Sequence, residues 1–307
     1  MAASPQLQAV IDQLRTNNEA AAAAGLAPTV EGVRQMMAES LFTAPVPAGV
    51  TVKKVRAVNV PCEWVYAHGA DPAKRLLYLH GGGYAAGNLD THRALCADIS
   101  VASGLSVLNV DYRLAPEHAG PAQFDDALIA YRWMLDNGPA GEEPAARCFL
   151  AGDSAGGGLA LATLLGIRDA GLPAPSGAAL LSPWTDMTVS GESLRGNAEK
   201  DPMVGYGLIA WMAGMVTGEE LQPEDPRISP LFGAFEGLPP LLIQVGEEET
   251  LLSDSLRVAE KAQAAGVEVT LERWPDVIHV WHALGHDVPE ASQGIQRVGE
   301  YLRGKAA

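Results

Sequence analysis

Ser154 stands in Gly152-Asp153-Ser154-Ala155-Gly156, a G-x-S-x-G pattern placed directly after the apolar run at 148–151 and directly before the helical spacing of Leu159, Ala160, Leu164 and Ile167. A serine on a sharp strand-to-helix turn presents its hydroxyl clear of its neighbours, and the small residues around it, Gly156 to Gly158 above all, let helix and strand approach. That is the setting of an oxygen nucleophile for acyl transfer. In a chain with 33 glycines the bare pattern says little, and a structural glycine turn is the plain alternative; the order strand, serine, helix is what gives it weight. A second glycine run, His80-Gly81-Gly82-Gly83-Tyr84, follows the strand-like residues 75–79. Main-chain N–H groups left uncovered by side chains can receive a substrate carbonyl as its oxygen gains charge. A phosphate loop would need Gly-Lys-Ser/Thr, or G-x-G-x-x-G leading into a helix with an acidic residue on the next strand, and neither is present. A flexible turn is the structural alternative here.

Taken together, His80 to Gly83, Asp111-Tyr112-Arg113-Leu114-Ala115-Pro116-Glu117-His118 and Gly152 to Gly157 resemble the signature blocks of the bacterial hormone-sensitive-lipase-like esterases, a family of α/β-hydrolases. The likeness extends to Asp225-Pro226, Ser229-Pro230-Leu231-Phe232 and Gly237-Leu238-Pro239-Pro240. The resemblance implies an α/β-hydrolase fold and a serine carboxylesterase acting on short-chain esters. It also implies that Gly82, Gly83 and Ala155 supply the oxyanion N–H groups, that His80 braces the loop, and that residues 111–118 are scaffold. An isolated Glu117-His118 pair offers no ligand cluster at usable spacing, so no metal is expected there.

The fold implied runs Ser, then Asp or Glu, then His along the chain. Of His279, His282 and His286, the first follows the strand-like residues 267–274 and the turn Pro275-Asp276, where a loop returns to the carboxyl edge of a sheet, and its surroundings resemble the family's histidine motif. His279 is the expected base; His282 and His286 are read as helix-start or surface residues. For the acid, Glu247, Glu248, Glu249 and Asp254 crowd the segment after the run 241–245. Most of the family closes Gly-x-x-Asp and continues with Pro, whereas this chain reads Gly246-Glu247-Glu248-Glu249-Thr250. Position just past a strand end favours Glu249, while Asp254, at the start of a helical pattern, reads as a cap or first-turn residue.

These groups need a frame. Apolar runs at 76–79, 105–110, 148–151, 178–181 and 241–245, bounded by Gly or Pro, read as buried strands, with helical patterns between them at about 92–103, 122–137, 155–170 and 254–265. Such alternation predicts an α/β architecture: a mostly parallel sheet covered by helices on both faces. Two short helices are expected in 1–45, and paired strands at 52–60 and 63–68 with a turn at Pro61. Residues 185–238 hold no strand run but do hold a helical stretch around Leu208 to Met215. The expected organisation is a helical segment 1–45, a first core part 46–184, a cap insertion 185–238 and a second core part 239–307.

The 21 Lys and Arg against 37 Asp and Glu give a net charge of -16, which repels phosphate backbones and anionic lipid, so neither nucleic acid nor a membrane is an expected partner. Cys62, Cys96 and Cys148 are three widely spaced residues without zinc or disulfide spacing. With no signal peptide or membrane span legible, a cytoplasmic enzyme needing no cofactor and binding a small-molecule ester is expected, with a homodimer left open. Amide, lactone or thioester cleavage at the same site is the alternative chemistry. A non-catalytic receptor on the same scaffold would typically lack the histidine that this chain carries at 279.

Overall fold

The computed structural model describes residues 3–25, 27–39, 45–219 and 221–306, so the expected segments 1–45, 185–238 and 239–307 each include residues outside the described ones. Eight strands form one sheet: β1 (Val50–Ala57), β2 (Val60–Ala67), β3 (Asp71–Leu79), β4 (Leu105–Val110), β7 (Arg147–Asp153), β8 (Ala178–Leu181), β9 (Leu241–Gly246) and β10 (Val269–Trp274). Their spatial order is β1-β2-β4-β3-β7-β8-β9-β10, and β2 pairs antiparallel with both its neighbours while all the remaining pairs are parallel. A two-residue ribbon, β5 (Asn137–Gly138) with β6 (Gly141–Glu142), lies outside this sheet.

The helices follow the strands as the apolar pattern requires. α3 (Leu89–Ser103) and α9 (Pro289–Ala306) cover one face; α4 (Ala122–Asp136), α5 (Ala155–Asp169) and α8 (Leu252–Ala264) cover the other. Successive residues of a strand point to opposite faces. Thus Leu76 and Tyr78 of β3 pack with Leu95 and Ile99 of α3 and Val298 and Leu302 of α9. Leu77 and Leu79 join Leu159 and Leu161 of α5, Ala127 of α4 and Val258 of α8. Strands β4, β8 and β9 are buried at every position, which is why their sequences are apolar runs rather than alternations.

The first two strands correct one expectation. The hairpin turns at Val58 and Asn59, with Val58 left-handed at φ 59°, and Pro61 lies inside β2 opposite Arg56. Lacking an N–H, Pro61 contributes its carbonyl, which accepts from Asp111 N at 3.0 Å. At the N-terminus α1 (Pro5–Ala23) is 19 residues long rather than short, and α2 (Val30–Glu39) follows. Leu7 and Ile11 of α1 pack on Val277, Ile278 and Trp281, the loop that carries His279. Between β8 and β9 lie α6 (Ser193–Gly196) and α7 (Tyr206–Thr217).

The chain leaves β3 for β4 on one side and returns to β7 on the other, so the two loops after β3 and β7 face each other at a topological switch point. Leu79 and Gly152 are in register there, which sets His80 to Gly83 beside Ser154.

Candidate active site

Ser154 lies between β7 and α5 with φ 52° and ψ -123°, a conformation that an L-residue adopts only under strain. The turn is pinned from both sides, since Ser154 N donates to Leu181 O at 2.8 Å and Ser154 O accepts from Trp184 N at 2.9 Å. Gly156 explains the glycine run: a Cβ there would collide with the carbonyls of Leu79 and His80 at the end of β3.

The loop after β3 is held by buried polar groups. Asp153 Oδ1 accepts from Tyr78 Oη at 2.7 Å and from Gly81 N at 3.1 Å, and its Oδ2 lies 3.4 Å from His92 Nε2. Burial opposes ionisation of Asp153, but His92 and the Tyr78 hydroxyl outweigh it and hold the carboxyl below the usual range. His80 is stacked on Tyr112 with centroids 4.1 Å apart, and Tyr112 Oη donates to His80 O at 2.6 Å. Burial lowers His80 to about 3, so it is a neutral brace at working pH. Gly82 (φ 115°) and Gly83 (φ 63°) continue the loop in conformations that favour glycine. Among the described residues none accepts a hydrogen bond from the N–H of Gly82, Gly83 or Ala155. Ala155 N is also the first amide of α5, where the helix dipole favours negative charge.

Glu249 and His279 meet at the neighbouring strand ends. His279 Nδ1 lies 2.7 Å from Glu249 Oε2, and both side chains are buried. Glu249 Oε1 accepts from Gly246 N at 2.6 Å and from Ser182 Oγ at 2.7 Å. Ser182 follows β8, its Oγ accepts from Val280 N at 3.3 Å, and so it links Glu249 to the loop that carries His279. Burial disfavours the charged imidazole and pushes the Glu249 carboxyl upward, while the hydrogen bond and charge of Glu249 act oppositely on His279; the pair shares one proton, and His279 ends above the ordinary histidine value.

The other candidates are elsewhere. Glu247 is exposed and paired with Arg273 at 3.0 Å. Asp254 sits in the first turn of α8 but does not cap it: its Oδ2 is buried and accepts from Thr185 N at 2.7 Å and Thr185 Oγ1 at 3.1 Å. Burial raises that carboxyl to about 7. His282 is buried rather than at the surface, its Nε2 2.8 Å from Gln244 Oε1, and His286 Nε2 pairs with Asp98 at 2.7 Å. Glu117 is paired with Arg34 of α2 at 2.7 Å. Among the described residues no cluster of three His, Cys, Asp or Glu could hold a metal, and no helix is long and apolar enough to cross a membrane.

Residues 76–283 match the family described as the α/β hydrolase fold. An acetyl-hydrolase of Streptomyces hygroscopicus is 42% identical over 242 residues, 78% of this chain and 79% of that protein. A crystal structure of an esterase from the bacterial hormone-sensitive lipase family matches at 42% identity and TM-score 0.91, with 100% of both chains covered. The chain belongs to the bacterial hormone-sensitive-lipase-like esterases. An esterase of Acinetobacter venetianus is 36% identical over 254 residues, 82% of each chain. This chain is therefore an ester hydrolase of the α/β-hydrolase fold.

Within that family setting, two polar residues escaped sequence reasoning. Asp153 was legible only as the variable position of G-x-S-x-G, and Ser182 only as the residue after an apolar run. Reading every strand end for polar residues, rather than only those after the glycine motifs, would have found Ser182.

Proposed function

We propose that this esterase hydrolyses short-acyl-chain carboxylic esters by two-step acyl transfer, with Ser154 as nucleophile, His279 as base and Glu249 as acid. The observation that carries the reading is the buried 2.7 Å contact of His279 Nδ1 with Glu249 Oε2, at the same sheet edge as the strained Ser154 turn. Ser154 Oγ attacks the ester carbonyl as its proton passes to His279 Nε2; Glu249 holds Nδ1 protonated and stabilises the imidazolium. The carbonyl oxygen takes up negative charge against the N–H groups of Gly82, Gly83 and Ala155. His279 returns the proton to the departing alcohol, and water repeats the sequence on the acyl-enzyme.

The name of the Streptomyces acetyl-hydrolase supports a short acyl group. Met212 of α7 supports it too, because its Sδ occupies the space where a Cβ on Gly83 would lie, so α7 stands directly over the oxyanion loop. On this reading α1, α2 and residues 185–238 together act as the cap. The test is p-nitrophenyl esters of graded acyl length, with a fluorophosphonate label located by peptide mass. Turnover falling beyond a short acyl chain and a single label on Ser154 are expected. Preference for long chains would overturn the substrate class, and a label on another serine would overturn the site. Equal rates on matched amides would favour an amidase.

A further inference from the structure

We infer that Asn197 and Asp201 are positioning residues for this reaction: carried by the segment between α6 and α7, they fix the main chain of Glu247 to Thr250 and thereby hold the Glu249 carboxylate against His279. The inference rests on the Ser154-His279-Glu249 reading. A glutamate has one more rotatable bond than an aspartate, so more of its surroundings, side chain and main chain alike, must be fixed to hold its carboxylate in one place. Locally the loop is held by Glu249 N to Gly246 O at 3.3 Å, Leu252 N to Glu249 O at 3.2 Å and Glu247 N to Trp274 O at 2.9 Å. The rest comes from outside. Asn197 Nδ2 donates to Glu247 O at 3.1 Å and to Glu249 O at 2.9 Å, so one amide group ties two carbonyls of the loop. One residue further on, Asp201 Oδ2 accepts from Thr250 N at 2.9 Å, and Thr250 Oγ1 lies 3.1 Å from that oxygen and 3.0 Å from Val204 O, the two acceptors sharing its one proton.

The other end of Asp201 is equally fixed, its Oδ1 accepting from Met203 N at 2.9 Å and Val204 N at 3.1 Å. All these donors are neutral main-chain amides or a hydroxyl, so both oxygens of Asp201 are held in place. Asn18 Nδ2 of α1 donates to Pro202 O at 2.6 Å, so the N-terminal helix holds the same segment. Asp201 thus adds a second buried carboxylate to the surroundings of His279. Burial lowers His279, whereas Glu249, then Asp201 and Asp153, raise it. Arg15 of α1, Lys200, Glu248 of the acid loop and Asp276 ahead of His279 line the small cavity of about 20 Å³ between these elements.

The test compares Asp201→Asn, Asn197→Ala and Glu249→Gln by kcat, KM, pH profile and melting. Loosening the acid by a fraction of an ångström is expected to lower kcat about ten- to a hundredfold at nearly constant KM in the first two variants. Removing the Asp201 charge should also move the midpoint of the pH profile downward, whereas Asn197→Ala, which removes no charge, should leave it in place. A merely structural role would lower melting temperature without moving that midpoint. If Asp201→Asn does not fold, Thr250→Val, which keeps the N–H bond and loses only the hydroxyl, should lower kcat in a folded protein. Wild-type kcat in folded Asn197→Ala, together with wild-type kcat in whichever of Asp201→Asn and Thr250→Val folds, overturns the inference, as does an unmoved midpoint in folded Asp201→Asn. Full activity in Glu249→Gln would instead overturn the triad itself.

Discussion

Replacing Glu249 by Gln exchanges one oxygen for an NH₂ group in a pocket where three donors converge. Oε1 receives Gly246 N and Ser182 Oγ, and Oε2 faces His279 Nδ1. The amide NH₂ cannot take the Oε1 place, because Gly246 N–H at 2.6 Å is a donor that cannot reverse. It must face His279, and Nδ1 must then accept. The imidazole proton moves to Nε2, the atom that has to receive the Ser154 proton. Conversion of a triad carboxylate to an amide costs about 10⁴ in kcat by this tautomer trap, equivalent to about 5 kcal/mol of barrier. Glu and Gln have the same shape, so the fold should survive. The assay is kcat on p-nitrophenyl acetate beside a melting curve and near-ultraviolet circular dichroism. A folded Glu249→Gln variant within tenfold of wild type would refute the assignment, and Asp254→Asn more impaired than Glu249→Gln would move the acid.

Four further outcomes are expected. Ser154→Gly should abolish labelling and lower turnover by about 10³ or more, while raising stability by about 1 kcal/mol as the strain at φ 52° is relieved, measured by denaturant unfolding. Turnover should rise with pH along one ionisation with a midpoint above the ordinary ~6.5, since neutral His279 is the active form and Glu249, with Asp201 and Asp153, outweighs burial in raising it; a midpoint below that value contradicts the pairing. A Cβ on Gly83 collides with the Met212 side chain, but one on Gly82 collides with the main chain of Ala86, so Met212→Ala should restore activity and melting temperature to Gly83→Ala in part and to Gly82→Ala not at all. The Asp254 carboxyl is raised to about 7, so its contribution to stability is complete below its unfolded value of ~3.9 and is lost as pH climbs through 7; Asp254→Asn should flatten that fall in a pH series of melting curves.

The parts of the fold that were legible are those whose cause is local. Strands such as β4 and β9 are buried on both faces, so their burial is written as unbroken apolar runs, and the serine turn is written in adjacent small residues. The hairpin turn was misplaced because proline is a strong turn signal, yet at Pro61 the ladder needs only a carbonyl. In the site, motif and chain order point to Ser154 and His279 and the place past a strand end points to Glu249, which the structure sets beside His279. What stayed hidden depends on partners far along the chain: Ser182 meets Glu249 across 67 residues and Tyr78 meets Asp153 across 75. Asp254 shows the same limit, since its helical position was readable but its bond to Thr185, 69 residues away, was not.

The departure at the acid position has a physical logic once its neighbours are considered together. Where most of the family resembled here carries Asp-Pro, this chain carries Glu249-Thr250. The longer side chain reaches His279, and its Oε1 is taken up by Ser182 and Gly246 N rather than left in the interior unpaired. The second change supports the first. A proline at 250 would offer no N–H and no hydroxyl to Asp201, whereas Thr250 offers both. Glu249→Asp alone would leave a gap between the carboxylate and the histidine, and Thr250→Pro alone would leave Asp201 Oδ2 without its main-chain donor. The two positions therefore form one unit with Ser182 and Asp201, and an aspartate at 249 requires the loop to move toward His279 before it can replace the glutamate.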